Sequence, residues 1–115
     1  MFSLVATVLN EKRRVSMDGT RHDSVESNNL AEWLKGLLSQ SVLPEEIIIV
    51  DGGSSDGTWE YLGEKSRSDN RLKVFQHLGS ISSGRNFAVQ KASGENIVVT
   101  DAGCSYHPDW FKKIT

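Results

Sequence analysis

Four short apolar runs rich in β-branched residues punctuate this chain, and stretches with helical spacing lie between them. The runs fall at residues 2–9, 46–50, 72–75 and 97–100, each strand-sized and bounded by turn formers. Leu30, Trp33, Leu34, Leu37 and Leu38 recur at helical spacing after Ser27, Asn28 and Asn29, which can cap the start. A second helix is predicted to begin near Thr58 and to carry Trp59 and Leu62 inward. A third contains Phe87, Ala88 and Ala92, with Ser82 or Ser83 as cap and Gly94 placed to close it. Pro108 opens a last helix through Trp110 and Phe111. Strands alternating with helices predict an α/β fold, a mainly parallel sheet with flanking helices wound in right-handed crossovers. Residues 12–26 break all periodicity and read as a long flexible loop.

At 115 residues the chain suits one domain. Thirteen basic against 15 acidic residues give a formal net charge of −2, so no broad basic footprint for nucleic acid exists. One Cys rules out an internal disulfide, and Cys104 reads as a small buried thiol. His22, His77 and His107 share no ligand spacing with one another or with Cys104, which argues against a zinc site. The apolar runs are far shorter than the roughly 20 residues that span a bilayer. Residues 1–3, Met-Phe-Ser, lack the basic start of a signal peptide. The expected location is cytoplasmic, with membrane association only through regions outside this chain.

Ligands of open parallel sheets sit beyond the carboxyl ends of the strands. Here those ends bring Asn10-Glu11, Asp51-Gly52-Gly53 and Asp101-Ala102-Gly103 to one rim. At separations of about 8 Å each pair of carboxylates repels by roughly 0.5–2 kcal/mol. Such a rim makes sense if it accepts hydroxyl hydrogen bonds or holds a divalent cation. The plainer alternative is that an Asp after a strand only shapes its turn. Gly52 and Gly53 let the backbone approach a flat ring or ribose closely, or simply supply a turn with positive φ. Asp56 is placed to cap the next helix. Thr7 lies two residues inward, where its hydroxyl can reach a ligand or its methyl can pack. Arg85 falls in the predicted first turn of the third helix, where the macrodipole disfavours a cation. A bound phosphate reverses that sign, because backbone N–H groups and the guanidinium converge on one anion. An ordinary solvated Arg is the alternative.

Taken in order, these islands resemble a known family. Thr7-Val-Leu-Asn10-Glu11, Ile48-Ile-Val-Asp51-Gly-Gly-Ser-Ser-Asp56-Gly-Thr58 and Gly84-Arg85-Asn86-Phe-Ala88 are similar to the start of family 2 glycosyltransferases. Ala92-Ser-Gly94-Glu95, Thr100-Asp101-Ala-Gly-Cys104 and Pro108-Asp-Trp110 continue the likeness. The resemblance implies the Rossmann-like, nucleotide-sugar-binding half of a GT-A fold. Its partners would be a nucleotide-diphosphate sugar and an acceptor hydroxyl of unknown identity, joined with inversion. The resemblance puts Thr7 and Glu11 at the nucleotide end, Asp51 near base or ribose and Arg85 near the diphosphate, and adds Asn10, Gly52 and Gly103 to the nucleotide-sugar-binding residues. Asp101 would be the first acid of the family's Asp-x-Asp motif, near ribose and a Mg²⁺ or Mn²⁺ ion. Gly103 stands where the motif's last acid, the usual main metal ligand, would be, and Gly52 where many members carry a second acid. The family's acceptor-binding half and catalytic carboxylate come later in sequence. The expectation is therefore a truncated donor-binding portion, inactive alone, with an exposed sheet edge open to self-association.

Two other classes stay in view. A receiver-like signalling module needs an acidic pair after the first strand and an Asp after the third, where this chain has Asn10-Glu11 and Gln76-His77. A nicotinamide-binding domain needs G-x-G-x-x-G after the first strand, and no glycine occurs there.

Overall fold

The computed structural model describes residues 2–9, 29–102 and 106–115. Its elements run β1 (Phe2–Val8), α1 (Asn29–Leu38), β2 (Glu46–Asp51), α2 (Thr58–Ser68), β3 (Leu72–Gln76), α3 (Ile81–Lys91), β4 (Asn96–Asp101) and α4 (Trp110–Ile114). The four strands form one parallel sheet in the order β3-β2-β1-β4. The expected α/β class is what folds. Residues 12–26, read as a flexible loop, lie outside the described residues, as do Ser27 and Asn28 and the thiol of Cys104.

The strand order explains where the helices lie. From β1 to β3 the chain steps across the sheet in one direction, and from β3 to β4 it returns past β2 and β1. Right-handed crossovers in opposite directions require helices on opposite faces. Accordingly Leu4, Ala6, Val8, Ile47 and Ile49 face Leu30, Trp33, Leu34 and Leu37 of α1, Leu62 of α2 and Phe111 of α4. Val5, Ile48 and Val50 face Ala88 of α3 on the other side. β2 is buried along its whole length, as a central parallel strand covered on both faces should be. β4 has only one covered face: Ile97 and Val99 remain exposed beside α3, while Thr100 is buried on the α1 side.

Polar clamps hold the two ends of the sheet. At the amino end, buried Glu46 accepts from Ser3 Oγ (2.8 Å), Lys73 Nζ (2.5 Å), Ser93 N (2.9 Å) and Ser93 Oγ (3.0 Å). Burial pushes the Glu46 carboxyl up, but the Lys73 ammonium and the Ser93 and Ser3 donors outweigh it and lower its pKa to about 2. At the other end, Tyr106 OH accepts from Trp33 Nε1 (2.9 Å) and pairs with Thr100 Oγ1 (2.7 Å). Gln40 bridges His107 O and Phe111 N at 2.9 Å each. These bonds fasten the segment after β4 to α1.

Several local expectations are corrected. α3 starts earlier than predicted, because Ser80 Oγ, rather than Ser82 or Ser83, accepts the Ser83 N–H (3.1 Å) and serves as cap. Arg85 is consequently the fifth residue of the helix, just past its first turn. Gly94 does not close α3; Ala92 ends it in extended geometry, and the Gly94 N–H donates to Ser3 Oγ. α4 begins at Trp110, two residues after Pro108. On α2 the buried residues are Thr58 and Leu62, and Trp59 is only half-buried.

Candidate functional site

The parallel ladder continues past the strand ends and shapes the rim. Gly52 N donates to Val8 O (3.0 Å), and His77 N donates to Asp51 O (2.9 Å). The turn after β2 is thus tied on one side to the end of β1 and on the other to the start of the β3–α3 connection. Gly53 carries φ +111°, and a Cβ there would lie 2.3 Å from Leu78 Cδ2. Gly53 therefore makes the turn because its positive φ demands glycine; the exposed Leu78 side chain could move aside. Gly52 differs: a Cβ there meets only Val8 O and Leu9 Cδ1 at ordinary distances.

Beyond the ends of β1 and β2, on the α3 side, a cleft of about 450 Å³ opens. Thr7, Gly52 and Arg85 line it together with His77, Ser80 and Ile81. α3 reaches this close to the sheet because of Gly84, whose absent Cβ would sit 3.1 Å from Thr7 Cγ2. Exposed Leu9 and Ile81 supply apolar walls. Among the described lining residues the ionisable side chains are Arg85 and His77, with no carboxylate between them. That combination suits an anionic ligand with a flat apolar part.

The predicted site residues fall into three groups. Thr7, Gly52 and Arg85 share the cleft. Asp51 stands directly behind it, fully buried, its carboxylate accepting from Ser54 N (3.3 and 3.2 Å), Ser54 Oγ and Gln76 Nε2 (3.2 Å). Asp101 ends β4 on the same rim, its backbone in register with Thr7, and its carboxylate lies outside the description. Asn10, Glu11 and Gly103 also lie outside the described residues. Asp56 does not cap α2, the role expected of it: Gly57 holds that position without a side-chain cap bond, and Asp56, one residue ahead, accepts from Thr58 N (3.0 Å). Among the described residues no group of three His, Cys, Asp or Glu side chains could hold a metal ion.

His77, Ser80 and Ile81 were not singled out by the sequence. The rule that picked the ends of the other three strands applies equally to the residues after β3, and there it points to His77.

The chain matches the model of "Glycosyl transferase family 2" over residues 25–115. It therefore belongs to that family of sugar-transferring enzymes. Among curated relatives, glycosyltransferase AglE of Haloferax volcanii is 29% identical over 93 residues, covering 76% of this chain and 30% of its own. Glycosyltransferase GlyG of Streptococcus pneumoniae is 32% identical over 75 residues, covering 64% and 25%. The chain thus spans about a quarter to a third of the length of these relatives. Among solved structures, residues 1–349 of S. aureus TarS in complex with UDP match with a TM-score of 0.70 at 26% identity, over 98% of this chain and 30% of that one. The mannosyltransferase PcManGT from Pyrobaculum calidifontis, solved with GDP-Man and Mn²⁺, matches in fold with a TM-score of 0.69 at 20% identity, over 91% and 28%. The fold is that of the GT-A glycosyltransferases, and the expectation drawn from the motif order holds for the family.

Proposed function

We propose that the cleft at the carboxyl ends of β1 and β2 holds the nucleotide-diphosphate sugar of an inverting glycosyltransferase. The observation that carries this reading is the meeting of Thr7, Gly52 and Arg85, from three distant stretches of sequence, on one cleft. The UDP complex of TarS and the GDP-Man complex of PcManGT support the ligand class. In the proposed step an acceptor hydroxyl oxygen attacks the anomeric carbon from the face opposite the diphosphate. The bond from that carbon to the β-phosphate oxygen breaks, and the nucleoside diphosphate leaves with the electron pair. The acceptor's proton passes to a base that we do not assign among the described residues. The contribution of this chain is to stabilise the growing negative charge through Arg85, in a cleft partly shielded from water.

The remaining assignments extend this reading. Asn10, Glu11, Asp101 and Gly103, which the family pattern assigns to nucleotide-sugar binding, belong to the same proposal. Asp51 acts from behind the wall by bracing the turn that presents Gly52; direct contact with the base would require Ser54 or Gln76 to yield its bond. The described residues do not fit a Mg²⁺ or Mn²⁺ site: the one rim carboxylate in view is committed to Ser54 and Gln76, and the cleft itself carries cationic and imidazole groups. No step is routed through a metal. Exposed Ile97 and Val99 on the edge strand β4 favour self-association at high concentration, and a sedimentation coefficient independent of concentration would refute that.

The test is a titration of UDP and GDP into the 115-residue chain and its Arg85→Ala variant, alongside an assay for sugar transfer. Loss of one charge-assisted contact is expected to weaken the preferred nucleotide about tenfold, and the chain alone is expected to transfer no sugar. Unchanged affinity would remove Arg85 from the phosphate role, and turnover would show that the base lies within these residues.

A further inference from the structure

We propose that His77 is a phosphate-recognising residue of this chain, a second N–H donor beside Arg85 for the leaving diphosphate. The proposal rests on the donor-cleft reading above and adds to it a residue from the β3–α3 connection.

Three contacts fix the imidazole. Its backbone N–H is tied to Asp51 O at 2.9 Å. Its ring stacks on Phe87 with centroids 4.6 Å apart and planes 18° apart. Its Nε2 lies 2.9 Å from Ser83 Oγ. A ring held this way loses little further entropy when it meets a ligand, which is the property that distinguishes a preorganised recognition group from a mobile surface His.

The partner on Nε2 sets what the other nitrogen offers. With Ser83 donating its hydroxyl hydrogen to Nε2, the neutral ring carries its proton on Nδ1 and is a donor there. A donor at Nδ1 suits an anion. Gly79, Ser80 and Gly84 line the same cleft as His77 and Arg85, and these small residues leave room there for an anion. Among the described lining residues no carboxylate competes for the donor. A nucleoside diphosphate gains a contact from His77 that the bare nucleoside cannot make.

The experiment compares UDP with uridine, and GDP with guanosine, by calorimetric titration of the wild-type chain and of His77→Phe. Phe keeps a flat ring for the stack on Phe87 and removes both nitrogens, and a melting curve checks that the variant is folded. A Ser83→Ala variant, which frees Nε2 without touching the ring, is titrated in parallel. The expected result is a loss of about three- to tenfold in diphosphate affinity for His77→Phe, with nucleoside affinity changed by less than about twofold. Ser83→Ala is expected to cause a smaller loss, again confined to the diphosphate. Equal losses for diphosphate and nucleoside would make His77 a wall of the base pocket and overturn the proposal. Wild-type affinity for the diphosphate in His77→Phe would overturn it while the donor cleft stands. A wild-type chain that binds neither nucleotide would overturn the donor cleft as well.

Discussion

Asp51 shows what a sequence can and cannot say about a single side chain. Its place after a buried strand was legible, because a polar residue closing an apolar run must sit at the sheet's rim. Its satisfaction was not: the carboxylate is turned back onto Ser54 and Gln76, and that depends on the turn geometry set by Gly53. Thr7 and Gly52 were legible from their places near strand ends and Arg85 from its place near the start of a helix, whereas His77 carries no motif and is recognised only by its position after β3. Glu46 lies at the opposite end of the sheet and illustrates a buried charge that is fully answered. Its folded pKa of about 2 lies below the ordinary 4.5. Its stabilising contribution is therefore complete above the unfolded pKa and is lost as pH falls from about 4.5 towards 2. In melting curves taken across that window, Glu46→Gln is expected to be less stable than wild type by about 1–3 kcal/mol at neutral pH and to show a flatter acid slope. Identical slopes would mean that Glu46 is not the group that titrates.

Among the elements, α3 has most influence on the cleft. Its periodicity through Phe87, Ala88 and Ala92 announced a helix, but the sequence pointed to Ser82 or Ser83 as cap, whereas Ser80 accepts the Ser83 N–H and starts the helix earlier. The strands likewise extend a residue or so beyond their apolar runs at Asp51, Gln76 and Asp101, because the parallel ladder continues as long as backbone partners are in register. Gly84 lets α3 lie against Thr7 and Val50. A branched side chain at that position must push the helix off the sheet. Gly84→Val is expected to cost about 1–3 kcal/mol of stability and to weaken nucleotide binding more than Arg85→Ala does, since it displaces both Arg85 and the loop that carries His77. Chemical denaturation and the same nucleotide titration measure both effects. A variant as stable and as tight-binding as wild type would show that the close approach at Gly84 has no part in forming the cleft.

For the molecule as a whole, topology follows from a few rules. Strand-helix alternation gives a parallel sheet, and the handedness of its crossovers places α3, alone among the described helices, on one face. That isolation is why a cleft exists: α1, α2 and α4 fill the opposite face, while α3 covers β2 and β1 and leaves its amino end and β4 open. The order of motifs made the family legible, because each island sits at a strand end or helix start where backbone geometry limits the choice of residue. The same order says nothing of which sugar or acceptor is used. The most direct measurement of the central claim is a map of amide chemical shifts in the ¹⁵N-labelled chain during titration with UDP and with GDP. The account predicts that the changes for the preferred nucleotide gather on Thr7, Val8, Gly52, Gly79, Ser80 and Arg85. Changes centred instead on the groove between α1 and α2, at Leu34, Tyr61 and Lys65, or no changes with either nucleotide, would contradict it.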